Sequence, residues 1–343
     1  MGGDSVTTTT LSAVDTGSDA VREALRDAVN RLDDTIRPVV AYHFGWCDEH
    51  GRPVRGNGGK SIRSRLALLA ARAVGGGGAA ALPGAVAVEL VHNFSLVHDD
   101  LMDRDATRRH RPTVWAVWGD AVAVLTGDAM LSLAHEVLLD SGSPQAIPSA
   151  KIIATATTEL IRGQAADVDF EHRDDVSLAE CVRMATGKTA ALLAASAGVG
   201  ALLAGAPDRT VSAMQSYGHH VGLAFQLVDD LLGIWGQPEV TGKPVWSDLR
   251  SRKKSLPVVW ALEAGGSAGR ELARWLARPD TPDEDELRGA AELVDRAGGR
   301  RWARTEAQRR VALAEESLAP VPMPPECRGE LTDLARFIIE RSA

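Results

Sequence analysis

Aromatic residues are scarce in this chain, at 4% of 343 residues. Cysteines number three, Cys47, Cys181 and Cys327. Widely spaced and odd in number, they make neither a disulfide framework nor a zinc site, and they fit a reducing compartment. Period-two alternation is missing too, which removes the sequence signal for strands. The opening MGGDSVTTTTLSAVDTGSD lacks the basic n-region and apolar h-region of a secretory signal. Gly, His or Asp interrupts each long apolar stretch, so no transmembrane helix is expected, and a cytoplasmic location is. Net charge is −8, which disfavours general nucleic-acid binding and leaves phosphate ligands only where positive charge is locally concentrated.

What remains is Ala-rich, 45% hydrophobic and 24% charged, ordinary material for a protein with a sizeable core. Apolar residues recur at three- and four-residue spacings, which predicts an all-α fold. Residues 1–16, rich in Thr, Ser and Gly, are expected to form a disordered tail. Helices are expected from a Ser18 cap onward, then from about 61 to 74, 82 to 104, 120 to 139, 146 to 170, 178 to 204 and 208 to 235. Amphipathic helices should follow from Leu249. No linker divides the chain, so one domain over 17–343 is expected.

Two aspartate-rich patches, each ending an apolar helical run, carry the chemistry. Asp99 and Asp103, in Asp99-Asp100-Leu101-Met102-Asp103, stand at i and i+4 and share one helix face. Asp229-Asp230 close the run GLAFQLV. Carboxylates beside an apolar face are costly without positive compensation. Two such patches suggest carboxylates facing each other across a cavity and holding Mg²⁺. His92 lies on the Asp99 stripe, and Arg104, Arg108, Arg109 and Arg111 follow it. Metal plus guanidinium forks is what a diphosphate needs, although a lone patch of this kind could equally be a solvated helix end.

Further cations sit at Lys60 and Arg63 in GGKSIR, where a helix begins and backbone N–H groups converge. Others are Lys188 inside the apolar run ATGKTAALLAASAG, Lys243, and the group Arg250, Arg252, Lys253 and Lys254. Gln164 and Asp167 share a face in GQAAD, and Gln226 precedes Asp229. Two anion pockets and two carboxylate faces suggest two diphosphate substrates, one of them metal-bound.

Taken in order, GGKSIR, HNFSLVHDDLMD, RRHRPT, GQAAD, GKT, FQLVDD and GKPVWSDLRSRKKSLP resemble the trans-isoprenyl diphosphate synthases, or polyprenyl synthetases. The likeness is nearest to short-chain geranylgeranyl diphosphate synthases of the actinobacterial type and spans roughly residues 55–260. It implies an isoprenoid-synthase helical bundle around a central cavity. It also implies condensation of isopentenyl diphosphate with an allylic diphosphate (dimethylallyl, geranyl or farnesyl). In that reading Asp99, Asp103 and Asp229 hold three Mg²⁺, and Arg108, Lys188, Gln226 and Lys243 bind the allylic diphosphate. Lys60, Arg63, His92 and Arg109 bind isopentenyl diphosphate. A homodimer is expected by the same analogy.

The resemblance also makes Phe94 and Ser95 the chain-length residues, with Phe94 as the floor beneath the growing chain and C20 expected ahead of C15. Three positions depart from the family pattern: Gly233 replaces a third aspartate, Ser64 a proline, and Trp246 a small residue expected near the cavity mouth. A class I terpene cyclase and a non-catalytic regulatory subunit are the competing readings. The first has no need for the Lys60, Arg63, His92 and Arg109 set, and the second typically loses an aspartate cluster.

Overall fold

The computed structural model describes residues 6–54, 61–237 and 245–340. Among these the protein is helical: α1 (Val6–Val29), α2 (Arg37–His43), α3 (Ile62–Ala73), α4 (Gly78–Met102), α5 (Val114–Trp118), α6 (Asp120–Leu139), α7 (Ala146–Glu171), α8 (Leu178–Ala185), α9 (Ala191–Leu203) and α10 (Asp208–Trp235). Then come α11 (Ser247–Arg250), α12 (Leu256–Ala264), α13 (Gly266–Leu276), α14 (Glu284–Arg296), α15 (Gly299–Ser317) and α16 (Pro325–Glu340). The all-α expectation holds, with one small exception. Thr107–Arg108 and Arg111–Pro112 pair antiparallel around Arg109 and His110, both at positive φ. Two such residues make the tight turn whose twist matches a hairpin, and no glycine announced it. The first helix also starts earlier than the tail expectation allowed, at Val6 rather than Ser18. No proline interrupts that segment, and Ser18 lies inside the helix instead of capping it.

The chain divides into two compact units. The first comprises residues 1–155, 195–215 and 321–328, the second 156–194, 216–320 and 329–343. Four of the five boundaries fall within α7, α9, α10 and α16, where no linker composition could mark them, and the fifth lies in the loop between α15 and α16. In the first unit α3 lays Ala67, Ala70, Ala71 and Ala73 into the core with no exposed surface. The Ala and Gly content permits this closeness: a Cβ on Gly200 would strike the Ala67 carbonyl. In the second unit Ile234, Leu249, Val258, Leu272, Leu287 and Val294 form one buried cluster. Each fully buried aliphatic side chain of this kind contributes about 1.5–3 kcal/mol.

The absence of membrane-length apolar helices is corrected. Gly78–Met102, Asp120–Leu139 and Leu178–Leu203 are long and apolar enough to cross a membrane by length and composition. The single Gly, His or Asp residues that interrupt them leave each run apolar overall. The first and third windows are 72% and 78% buried inside the protein, whereas that of α6 is 39% buried. For the first and third, the apolarity therefore serves the core.

Candidate active site

Helix α4 carries most of the site in the first unit. Its last turn closes with the Asp103 N–H donating to the Asp99 carbonyl at 2.8 Å. Asp103 keeps helical backbone angles as the cap, so it shares the Asp99 face as the i, i+4 spacing requires. Asp100 points elsewhere: it is buried and grips Arg108, whose Nε donates to its two carboxylate oxygens at 2.8 and 3.0 Å. Burial works against the Arg108 charge, but the bonds and charge of Asp100 outweigh it and raise its proton affinity. Arg104 is turned outward onto Asp120 by two 3.0 Å bonds. Arg111 is consumed structurally, donating to the carbonyls of Tyr42 and Cys47.

Behind the hairpin, Arg63, Arg108 and Arg109 act on His92, and Arg108, Arg109 and Arg111 act on His43. Burial first, then the neighbouring guanidinium groups, drives the His43 imidazole down to about 3 and that of His92 well below its ordinary range. Burial and the adjacent Arg108 likewise lower the proton affinity of Arg109. Three guanidinium groups thus gather beside two neutral imidazoles, with Asp100 paired to Arg108 and Glu89 acting on Arg109, and an anion would relieve the excess of cations. His43 was not anticipated. It lies ahead of the recognisable motifs, and its Nε2 donates to Asn93 Oδ1 at 3.0 Å.

Glu89, another residue sequence reasoning passed over, is buried within the apolar run of α4 and accepts the Ser64 N–H at 3.1 Å. Its signal was present as a lone acid in VAVELV. The bond also explains Ser64, because a proline there would have no N–H to give. Ser61 begins α3 in the left-handed region, and Arg63 is in its first turn. Lys60 and Lys243 lie outside the described residues.

In the second unit, five residues that include Lys188 wind as a π-helical turn, Thr186–Ala190, where one continuous helix was expected. Such turns collect at functional sites. The cause is close backbone packing: a Cβ on Gly187 would come within 2.5 Å of the Glu159 carbonyl, and one on Gly163 would overlap the Lys188 amide. Lys188 Nζ bonds Asp167 Oδ2 at 2.5 Å, and Lys253 stands 3.8 Å from the same oxygen. Burial raises the Asp167 carboxyl, but Lys253 and Lys188 together overcome it and hold it below the usual range. The buried amide of Gln164 has no hydrogen-bond partner at either end among the described residues.

Gln226 accepts from Thr189 Oγ1 at 2.5 Å and donates to Asp230 at 2.7 Å. Asp230 also accepts the Leu256 N–H at 2.9 Å, so it anchors α12. Burial lifts its carboxyl to about 7, against the pull of Lys253. Asp230 is thus committed to structural bonds within the second unit. Gly233 lies against Asp248, whose carboxylate occupies the space a side chain there would need. Trp246 is corrected: it packs against the Ile234, Leu249 and Val258 cluster, because a large apolar ring gains more from that core than from solvent.

Among the described residues no three or more His, Cys, Asp or Glu side chains converge as a ready metal cage. Mg²⁺ seldom uses one, since it takes one or two carboxylates plus substrate phosphates. The Asp99 and Asp103 face fits that mode.

The polyprenyl synthetase family model matches residues 45–294. The chain belongs to the polyprenyl synthetase family. It is a prenyltransferase that elongates prenyl chains. This polyprenyl synthetase is 59% identical over 343 residues to a (2E,6E)-farnesyl diphosphate synthase of Mycobacterium tuberculosis, covering 99% of this chain and 96% of that one. Its fold superposes on a polyprenyl synthetase from Streptomyces coelicolor with TM-score 0.91 at 50% identity, covering 95% and 99% of the two chains. It also resembles a geranylgeranyl pyrophosphate synthase from Corynebacterium glutamicum, solved with isoprenyl diphosphate and magnesium. There the TM-score is 0.84 at 27% identity, covering 96% and 99%.

Proposed function

We propose that this polyprenyl synthetase adds isopentenyl diphosphate to an allylic diphosphate and delivers farnesyl diphosphate, C15, as its main product. The pocket of Arg63, Arg108 and Arg109 around two uncharged histidines carries the reading, since it calls for a highly charged anion. The preference for C15 over the C20 first expected rests on the 59% identity to a farnesyl diphosphate synthase, against 42% to a geranylgeranyl diphosphate synthase of the same organism.

In this proposal Arg63, His92 and Arg109, with Lys60, receive isopentenyl diphosphate, which needs no metal. Arg108, oriented by Asp100, and Lys188, Gln226 and Lys243 receive the allylic diphosphate. Asp99, Asp103 and Asp229 are the carboxylates for three Mg²⁺. Bound Mg²⁺ supplies positive charge to the diphosphate oxygens and makes the group easier to expel. The allylic C–O bond breaks, its electron pair leaving with pyrophosphate. The C3–C4 alkene of isopentenyl diphosphate then forms the new C–C bond, and a C2 proton passes to the released pyrophosphate. No side-chain nucleophile enters; the cations stabilise the departing charge and the apolar walls exclude water. A second copy of the chain is the proposed partner. Helix α6 supports this, being the least buried of the three long apolar helices and exposing Val124, Leu125 and Leu139. The three free, buried cysteines suit the reducing cytoplasm.

The test incubates the purified chain with Mg²⁺, isopentenyl diphosphate and dimethylallyl, geranyl or farnesyl diphosphate in turn, followed by mass spectrometry. C15 diphosphate from the first two primers is expected. Cyclised hydrocarbon formed without isopentenyl diphosphate would instead indicate a terpene cyclase. No turnover by the chain alone would indicate a regulatory subunit.

A further inference from the structure

Phe94 is buried at 5% exposure on α4, five residues before Asp99. Its ring meets the His98 imidazole edge-on, centroids 5.6 Å apart at 88°. His98 is in turn fixed from the other side, since its Nε2 lies 3.0 Å from the Val124 carbonyl on α6. Only the Nε2–H tautomer makes that bond, with the ring nitrogen donating. The ring reaches the carbonyl because position 127 is glycine: a Cβ there would overlap Nε2 and Cδ2 of the imidazole. Phe94, His98 and Gly127 thus form a chain of contact from α4 to α6 within the first unit. Asp128, 4.0 Å from His98 Nε2, is the acid nearest to it.

We propose that His98, seated on Gly127, is the positioning residue that holds Phe94 as the chain-length floor, so that Gly127 is a product-length determinant. The inference rests on the condensation reading above. A floor stops chain growth only while it stays put, and a lone Phe ring has rotamers to escape into. The edge contact and the helix-to-helix bond remove that freedom. A side chain at 127 would expel the imidazole from α6, break the Val124 bond and free the ring of Phe94.

The experiment measures the C20:C15 product ratio for the wild type, Gly127→Ala, His98→Ala and the double variant, each given isopentenyl and geranyl diphosphates. Thermal melts check folding. Each single variant should raise the ratio about three- to tenfold, the worth of an edge contact of this kind. The double variant should match His98→Ala, because the glycine acts only through the imidazole. His98→Asn, retaining a donor toward Val124, should fall between. Unchanged ratios in both single variants, or additive effects in the double, would overturn the proposal. If Gly127→Ala does not fold, the ratio for His98→Ala decides alone, since that change adds no atoms. A wild type that makes no condensation product would overturn the condensation reading itself, and this proposal with it.

Discussion

The carboxylate of Asp248 lies directly over the Cα of Gly233, so that a Cβ on the glycine would overlap all three of its atoms. Ser247 Oγ ties the two together, donating to the Gly233 carbonyl at 3.2 Å and to Asp248 Oδ1 at 3.3 Å. The glycine that replaces a third aspartate in the second motif thus leaves room for this carboxylate. Gly233→Ala should destabilise the fold by about 1–3 kcal/mol, as overpacking does. Adding Asp248→Ala should recover much of that loss. Thermal melts of the single and double variants check it; an undiminished melt for Gly233→Ala would refute the overlap.

Asp100 serves Arg108, while Asp99 and Asp103 are the carboxylates proposed to hold metal. Asp100→Asn removes a buried charge that accepts two hydrogen bonds and should cost about 3 kcal/mol, near the lower end for breaking a buried pair. It should also raise KM for the allylic diphosphate more than it lowers kcat. Denaturant titration and steady-state kinetics read the two effects separately.

Asp167 is shared by Lys188 and Lys253, and its folded-state carboxyl lies below the unfolded value. A lowered carboxyl contributes stability that is present above the unfolded pKa, near 3.8, and lost as pH falls through the folded one. Asp167→Asn should therefore destabilise at pH 7 by about 2–3 kcal/mol, and the difference from wild type should shrink as pH falls below about 4. Urea midpoints from pH 7 to pH 3 test this; a constant gap would show that the ion pair contributes nothing.

The α6 surface predicts association. Leu125, at 56% exposure, is the most exposed large apolar side chain of that helix. Leu125→Glu should convert the proposed homodimer to a monomer while leaving the circular dichroism spectrum unchanged. Sedimentation at several concentrations distinguishes the two, and an undisturbed dimer would place its interface elsewhere.

The sequence by itself determined the helical class, because apolar spacing follows the 3.6-residue repeat whatever lies opposite. It also determined the Asp99 and Asp103 face, the Arg-rich turn and the family, since these depend on local spacing and on motif order. Tertiary structure decided what spacing cannot encode. Which of two adjacent aspartates anchors a neighbour, as Asp100 and Asp230 do, depends on residues brought from elsewhere in the chain. The π turn at Lys188 comes from backbone packed against Gly163, and the roles of His43 and Glu89 come from helices meeting far apart in sequence. Along the chain Gly233 reads only as a lost aspartate, and Gly127 and Gly187 carry no signal of their own. Only in three dimensions do they become the places where another group must come close, because a glycine's contribution is the space it leaves.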